Sequence, residues 1–179
     1  NRGQETAYVA VADKSTIQSN GSARAASESG EVKNGRFSKE SIIQVAKKYL
    51  GTPYKFGGND LITGIDCSGY VKKVFSRFNV NLPRTARDIY YRSGESVKKS
   101  ELDTGDLVFF TTYAKFPSHV GIYIGNAEFI PASSASRKVT IDSINKQYHT
   151  KRYIGAKRVQ LSGLFYDEMS RGYGGFEKN

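Results

Sequence analysis

The chain has 179 residues, and its 27 Lys and Arg against 17 Asp and Glu give a formal net charge of +10. This length suits one domain with tails and is enough to bury a core without disulfides or a metal. The single Cys excludes an intrachain disulfide, and two His with one Cys are too few for a four-ligand structural zinc site. No run of about 18 apolar residues occurs, so no transmembrane helix is expected.

The excess positive charge lies in the middle of the chain. Residues 1–36 contain five basic and four acidic residues and residues 165–179 contain two and three, which leaves twenty and ten for residues 37–164. A basic domain favours an anionic partner, such as nucleic acid, a lipid surface or an anionic polymer of the bacterial cell wall. Because the basic residues are dispersed rather than clustered, we predict no nucleic-acid partner; the opposite case requires strongly salt-dependent DNA binding.

Composition divides the chain into three parts. Residues 1–36 are rich in Ser, Ala, Gly, Asn and Glu and contain too little apolar surface to fold, so we predict a flexible tether. Residues 37–164 are predicted to form the folded domain. The Gly-containing stretch 165–179 is predicted to be an irregular tail.

The predicted helices come first in the domain. Ser38 is a suitable N-cap for a helix from Lys39 to Leu50, and Gly51 ends it. Asp66 is a suitable N-cap for a second helix that starts near Cys67. A third, shorter helix is predicted over residues 84–93.

Strands are predicted after the helices, and a Gly125-Asn126 turn indicates a hairpin between the second and third of them. The predicted strands cover residues 106–110, 119–124, 128–132, 139–141 and 153–159. Helices followed by an antiparallel sheet give an α+β fold. We expect the helices to pack on a sheet of five or six strands.

The lone Cys67 is the first candidate for chemistry. It lies at the first turn of the second helix, where unpaired backbone N–H groups and the helix dipole favour a thiolate and lower the thiol pKa. The backbone N–H of Cys67 is also placed to contribute to an oxyanion hole. The alternative is a buried and inert cysteine, which is the usual fate of a lone Cys.

A cysteine nucleophile requires an imidazole, and the chain offers two. His119 begins a predicted strand beside Gly121, which leaves space for close approach, and we favour it; the alternative is a structural histidine. His149 lies in a polar segment that predicts an exposed loop, so we interpret it as a surface residue.

Five segments now point to one family. They are Tyr49-Leu50-Gly51-Thr52-Pro53-Tyr54-Lys55-Phe56-Gly57-Gly58, Gly64-Ile65-Asp66-Cys67-Ser68-Gly69-Tyr70-Val71, Leu82-Pro83-Arg84-Thr85, Thr104-Gly105-Asp106-Leu107-Val108-Phe109-Phe110 and Ser118-His119-Val120-Gly121-Ile122-Tyr123-Ile124-Gly125. In this order and spacing, over about residues 38–160, the chain resembles the NlpC/P60 family of bacterial cell-wall cysteine peptidases, which have a papain-like fold.

The resemblance implies a reaction and a site. The reaction is hydrolysis of amide bonds in peptidoglycan stem peptides, with no metal or organic cofactor. Cys67 would be the nucleophile and His119 the base, and the Tyr54 hydroxyl would assist the oxyanion hole. Asp66, Ser68 and Arg84 would lie in the substrate cleft; a plain N-cap for Asp66 and a surface charge for Arg84 are compatible with that role.

The resemblance also implies a location and partners. Peptidoglycan would be the partner, and the protein is expected on the periplasmic side of the bacterial cell envelope as a monomer. Lipoprotein members of the family carry a polar tether like residues 1–36. They imply a lipid-modified Cys upstream of Asn1 and anchoring to the outer membrane.

One position departs from the family pattern. The family's third catalytic group, usually a His that orients the imidazole, corresponds to Pro131, which has neither a side-chain acceptor nor an N–H. We expect Pro131 to lie opposite or nearly opposite His119. A backbone carbonyl, a water or Ser133 could replace the missing group.

Other interpretations of Pro131 stay open at this point. The protein could be a pseudoenzyme that binds the cell wall without cutting it, or an ordinary enzyme with a strain-specific or engineered substitution. A related papain-like chemistry, such as amidase or acyl-transfer activity, is a further alternative.

Overall fold

The computed structural model describes residues 38–161. The predicted tether and tail therefore lie outside the described residues. The helices are α1 Lys39–Lys48, α2 Cys67–Ser76, α3 Ala86–Arg92 and α4 Gln147–Thr150, with a 3₁₀ turn at Lys99–Glu101. The strands are β1 Asn59–Asp60, β2 Gly64–Ile65, β3 Glu95–Val97, β4 Leu107–Phe110, β5 His119–Gly125, β6 Glu128–Ile130, β7 Ala132–Ser133, β8 Lys138–Val139, β9 Asp142–Ser143 and β10 Tyr153–Arg158.

The centre of the fold is a six-stranded antiparallel sheet in the order β3-β10-β4-β5-β6-β9. The short pairs β1-β2 and β7-β8 lie outside it. The predicted α+β class and antiparallel sheet are confirmed. Among residues 38–161, no helix is long and apolar enough to cross a membrane.

Each face of the sheet covers a separate core. Alternate residues of β4 and β5, such as Phe109 and Val120, pack with the apolar faces of α1 and α2 in the larger core. Residues of the opposite parity, such as Phe110, pack in a smaller core with Phe129 and Ile144. This alternation decides which side of the sheet each functional side chain can reach.

Several boundaries differ from the sequence predictions. The hairpin between β5 and β6 is confirmed, but its turn residues are Asn126 and Ala127, both in the left-handed region with φ of 53° and 59°. The strand predicted over residues 128–132 is interrupted at Pro131, because proline cannot donate a ladder hydrogen bond. The sequence prediction missed β1, β2, β3, β9 and α4.

An ion pair between a buried carboxylate and a partly exposed arginine joins the start of β4 to the end of β10. The Asp106 side chain is 1% exposed and accepts hydrogen bonds from Arg158 Nε and Nη2, each at 2.8 Å. It also accepts a hydrogen bond from the Asp103 backbone N at 2.8 Å. The carboxylate therefore ties the turn before β4 to the end of β10.

Removal of this arginine should destabilise the domain. We expect Arg158→Ala to lower the free energy of unfolding by about 3 kcal/mol, because it leaves a buried carboxylate without its cation. Arg92→Ala is the matched control, since Arg92 and Asp88 form an exposed pair at 3.8 Å and should change stability by no more than about 0.5 kcal/mol. Urea unfolding followed by circular dichroism measures both; equal losses in the two variants would contradict the prediction.

Candidate active site

A cleft of about 360 Å³ opens beside the N-terminus of α2. The sequence-predicted residues that line it are Tyr54, Asp66, Cys67, Ser68 and Arg84, together with Phe56, Tyr113 and Ser118 among others. Five of the residues predicted to form the site are thus brought together although they come from three segments of the chain.

Asp66 sets the position of the thiol. Its backbone is extended, with φ −92° and ψ 175°, and its side chain accepts a hydrogen bond from the Gly69 N–H at 2.7 Å, so α2 begins at Cys67. A side chain at residue 69 does not fit, because a Cβ there would lie 2.8 Å from the Gly58 carbonyl oxygen. This close approach of the Gly58 backbone to α2 explains why a glycine follows Cys67-Ser68.

Arg84 binds the same carboxylate in a bidentate pair. Its Nη1 and Nη2 donate to Asp66 Oδ1 and Oδ2 at 2.9 and 2.8 Å, and they also reach Ser68 Oγ and the Gly58 carbonyl oxygen, each at 3.0 Å. Bidentate arginine–carboxylate pairs fix orientation as well as adding energy. Arg84 therefore ties the loop before α2 to the helix, besides lining the cleft.

The Cys67 thiol lies against the backbone on either side of His119. Sγ is 3.9 Å from the carbonyl oxygen of Ser118, which precedes His119. The backbone N–H of Val120, which follows His119, donates to the same sulfur. Burial raises the thiol pKa to about 11, although the Val120, Ser68 and Cys67 backbone N–H groups lower it. The backbone N–H groups at the start of α2 act in the expected direction, but burial outweighs them.

The His119 ring faces the smaller core. His119 pairs with Phe110 across β4 and β5, and the two rings are 6.1 Å apart. The pKa of His119 is lowered to about 4, mainly by burial and to a smaller extent by His149, while the Asp142 carboxylate acts in the opposite direction. Within residues 38–161, no hydrogen bond joins the Cys67 thiol and the His119 ring.

Tyr54 is suited to donating a hydrogen bond. Burial raises the pKa of its hydroxyl to about 12, and the nearby Cys67 and Asp66 raise it as well. The hydroxyl therefore keeps its proton at neutral pH. A protonated donor beside the thiol is what an oxyanion-stabilising group needs.

Pro131 and Ser133, the residues considered for the third catalytic position, lie in different places relative to His119. β5 and β6 pair Ile122 with Ile130, and continuing this register sets Pro131 beside Gly121 rather than beside His119. Ser133 lines a second cavity of about 280 Å³ that His119 also lines. The Ser133 hydroxyl accepts a hydrogen bond from the Ser136 N–H at 3.1 Å.

The interpretation of His149 as an exposed surface residue is wrong. His149 is 6% exposed and lies in α4, with its ring 5.0 Å from both Phe110 and Phe129. Its Nε2 is 3.0 Å from Asp142 Oδ2. The polar residues around His149 suggested a loop, but one turn of helix directs this ring into the smaller core.

The sequence analysis also missed the aromatic rim of the cleft. The rings of Phe56 and Tyr113 are 5.9 Å apart in an edge-to-face contact, and the residues are 72% and 67% exposed. Neither residue shows a sequence pattern that distinguishes it from other loop aromatics. Their exposure beside the thiol marks them as surfaces that a ligand can cover.

These features allow acyl-transfer chemistry. The cleft offers a thiol, a protonated phenol and the backbone N–H of Cys67 at one end of a helix. The neutral imidazole of His119 lines the neighbouring cavity rather than this cleft, on the strand residue between Ser118 and Val120. What the resting arrangement lacks is a preformed thiolate–imidazolium pair, because burial disfavours both charges.

Comparison with known proteins identifies the fold and the relatives of this chain. The model of the NlpC/P60 family matches residues 51–158. The chain is 43% identical to the murein DD-endopeptidase MepS/murein LD-carboxypeptidase of Escherichia coli. The aligned 122 residues cover 68% of this chain and 63% of that protein. The chain is 39% identical over 113 residues to the murein DD-endopeptidase MepH of Escherichia coli, over 62% of this chain and 42% of MepH. The chain thus spans less than two thirds of either relative.

Solved structures show the same architecture. A crystal structure of a NlpC/P60 family protein from Bacillus cereus superposes with a TM-score of 0.63 at 31% identity, over 68% of this chain and 40% of that one. The predicted papain-like arrangement of helices on an antiparallel sheet is confirmed.

The reactivity of the thiol should follow its buried position. We expect the rate of Cys67 alkylation by iodoacetamide to rise with pH through a midpoint near 11, because burial disfavours the reactive thiolate. Asp66→Asn should move the midpoint to lower pH, since the Asp66 carboxylate raises this pKa and Asn still caps a helix.

Mass spectrometry of the modified protein between pH 6 and 12 gives the rates. Asp60→Asn, which removes an exposed carboxylate outside the cleft lining, is the control and should leave the midpoint unchanged. A midpoint at or below pH 8 in the unaltered protein would contradict the prediction.

Proposed function

Because this chain belongs to the NlpC/P60 family, we propose that it is a cysteine endopeptidase that hydrolyses amide bonds in peptidoglycan stem peptides. The observation that carries the proposal is the thiol of Cys67 at the start of α2, in one cleft with Tyr54, Asp66, Ser68 and Arg84. The two relatives named as murein endopeptidases support the substrate class.

The proposed reaction begins with proton transfer from Cys67 to His119. The sulfur attacks the amide carbonyl carbon and forms a thioester, while the C–N bond breaks and the leaving amine takes the proton from His119. Water, deprotonated by the same imidazole, then hydrolyses the thioester. This sequence requires the sulfur and a ring nitrogen within roughly 3–4 Å in the substrate complex, a distance that tightens from looser resting geometry.

The oxyanion of the tetrahedral intermediate needs donors that are already in place. We assign this role to the Cys67 backbone N–H and the Tyr54 hydroxyl. The raised pKa of Tyr54 supports the assignment, because the phenol remains a donor at neutral pH.

Substrate binding is proposed to involve Asp66, Ser68 and Arg84. These residues form one hydrogen-bonded network on the cleft wall, so a stem peptide meets a fixed set of donors and acceptors. The exposed rings of Phe56 and Tyr113 offer apolar contact at the rim. The net charge of +10 suits an anionic cell-wall polymer.

We place the protein in the bacterial cell envelope, where peptidoglycan is found. The finer proposal is attachment to the outer membrane through a lipid-modified Cys preceding Asn1, with residues 1–36 as the tether. A monomer is sufficient for the proposed reaction, since one chain supplies every group named.

Pro131 favours one other candidate function. A chain that binds peptidoglycan without cutting it would keep the cleft and lose the orienting group of the imidazole. In that case Cys67→Ala leaves both the affinity for peptidoglycan and the biological effect unchanged.

Digestion of purified muropeptides separates the two functions. We expect the unaltered chain to release cleaved stem peptides and Cys67→Ala to release none, because the sulfur forms the acyl intermediate. Mass spectrometry of the products identifies the bond that is cut.

Cleavage that persists in Cys67→Ala would refute the cysteine mechanism. If the unaltered chain were inactive and Pro131→His restored cleavage, the binding function would be favoured instead. Circular dichroism of each variant confirms that it is folded.

A further inference from the structure

The smaller core contains a pair of ionisable side chains that the proposed mechanism does not use. His149 Nε2 and Asp142 Oδ2 are 3.0 Å apart, and both residues line the second cavity together with His119. The two histidine rings contact the same aromatic ring, at 6.1 Å from Phe110 for His119 and 5.0 Å for His149. The pair therefore lies on the face of the sheet that carries the proposed base.

The hydrogen bond to Asp142 determines which nitrogen of His149 is free. A carboxylate only accepts, so Nε2 donates and carries the proton. In the neutral ring Nδ1 is then an acceptor. This Nδ1 is buried and has no hydrogen-bond partner among residues 38–161. An unsatisfied buried acceptor on an otherwise fixed ring calls for a donor.

Asp142 is held as a carboxylate. Burial alone would raise its pKa, but hydrogen bonds from Lys146, His149 and the Ser143 backbone N–H lower it overall. Lys146 Nζ is 2.6 Å from Oδ1. The negative charge is therefore present at neutral pH and remains on the side of His149 that faces away from Nδ1.

We propose that the Asp142–His149 pair is the positioning group for His119, in place of the residue that Pro131 cannot supply. His149 Nδ1 accepts the N–H of the His119 ring, directly or across one ordered water in the shared cavity. The other His119 nitrogen is left as the acceptor for the Cys67 proton. Asp142 fixes the tautomer of His149 and stabilises the imidazolium that forms during the reaction.

The charged and titratable groups around this pair are consistent with that role. Asp142 on β9 and His149 on α4 face the cavity that His119 of β5 lines, and Lys146 and Tyr148 line it as well. His149 lowers the pKa of His119 and Asp142 raises it. Both residues are therefore close enough to His119 to influence its pKa.

The inference rests on the proposed function, so the test combines an activity measurement with a spectroscopic one. Steady-state cleavage of muropeptides is measured for His149→Ala and Asp142→Asn across pH. We expect kcat to fall about 100-fold in His149→Ala with KM little changed, since the orientation of a general base and not binding is lost. Asp142→Asn should lower kcat in the same direction.

Two further variants make the activity test specific. Tyr153→Phe is the matched control, because Tyr153 Oη is the other buried polar atom without a partner in the described residues and its ring is 5.9 Å from Phe110. It should leave kcat unchanged. Pro131→His introduced into His149→Ala should recover at least tenfold in kcat, whereas a merely structural role of His149 gives no rescue.

Nitrogen NMR of the His119 imidazole is independent of turnover. We expect a single tautomer of the His119 ring in the unaltered chain and a mixture of tautomers in His149→Ala. If His149→Ala does not fold, the isosteric Asp142→Asn is measured in its place. The inference is overturned if Asp142→Asn and the folded His149→Ala keep kcat within twofold and leave the tautomer unchanged. An inactive parent chain with a fixed tautomer that is lost in the variants would reject the proposed function but support the positioning role.

Discussion

The carboxylate of Asp66 is the constraint on which the cleft depends. It accepts hydrogen bonds from the Gly69 backbone N–H, the Ser68 hydroxyl and both terminal nitrogens of Arg84. The first of these starts α2 at Cys67, and the others connect the helix to the loop around Gly58. The Asp66 side chain thus fixes the position of Cys67, the proposed nucleophile, and assembles one wall of the cleft.

The start of β5 has a related role, because it separates two chemical environments. Ser118 and Val120 contact the thiol through their backbone, while the ring of His119 points toward the smaller core. Burial on both sides raises the pKa of Cys67 and lowers that of His119. The free chain therefore holds a neutral thiol and a neutral imidazole at neutral pH.

This resting state has a consequence for how charge must be stabilised. An imidazolium that forms in a low-dielectric core is strongly destabilised unless a preorganised hydrogen-bond acceptor and a negative charge lie near it. The proposed oxyanion donors, the Tyr54 hydroxyl and the Cys67 N–H, belong to the cleft and not to the smaller core that the His119 ring faces. We therefore infer that a positively charged His119 ring is stabilised from its own side of the sheet, where Asp142 and His149 line the same cavity.

The sequence was informative wherever one local rule determined the outcome. Asp66 followed by Cys67 predicted the start of α2, and the turn signal after residues 119–124 predicted the hairpin that contains β5; both were confirmed. The left-handed turn at Asn126-Ala127 was misplaced by one residue, because Ala rarely adopts positive φ. The burial of His149 was missed because it depends on Phe110 and Phe129, which are distant in sequence. The net pKa of Cys67 likewise depends on tertiary burial, which overrides the local effect of a helix terminus.

Pro131 is the point at which the chain leaves the central sheet after β6. Its carbonyl accepts a hydrogen bond from the Thr140 N–H, and the chain beyond it leaves β5 and pairs with β8. The returning segment forms β9, in which Asp142 pairs with Phe129, on the same sheet face as Phe110. The path of the chain beyond Pro131 thus brings a carboxylate and a second imidazole to the face of the sheet that carries His119. Because orientation of an imidazole requires only an acceptor at its second nitrogen, the element that supplies this acceptor can change while the reactive side of the cleft stays the same.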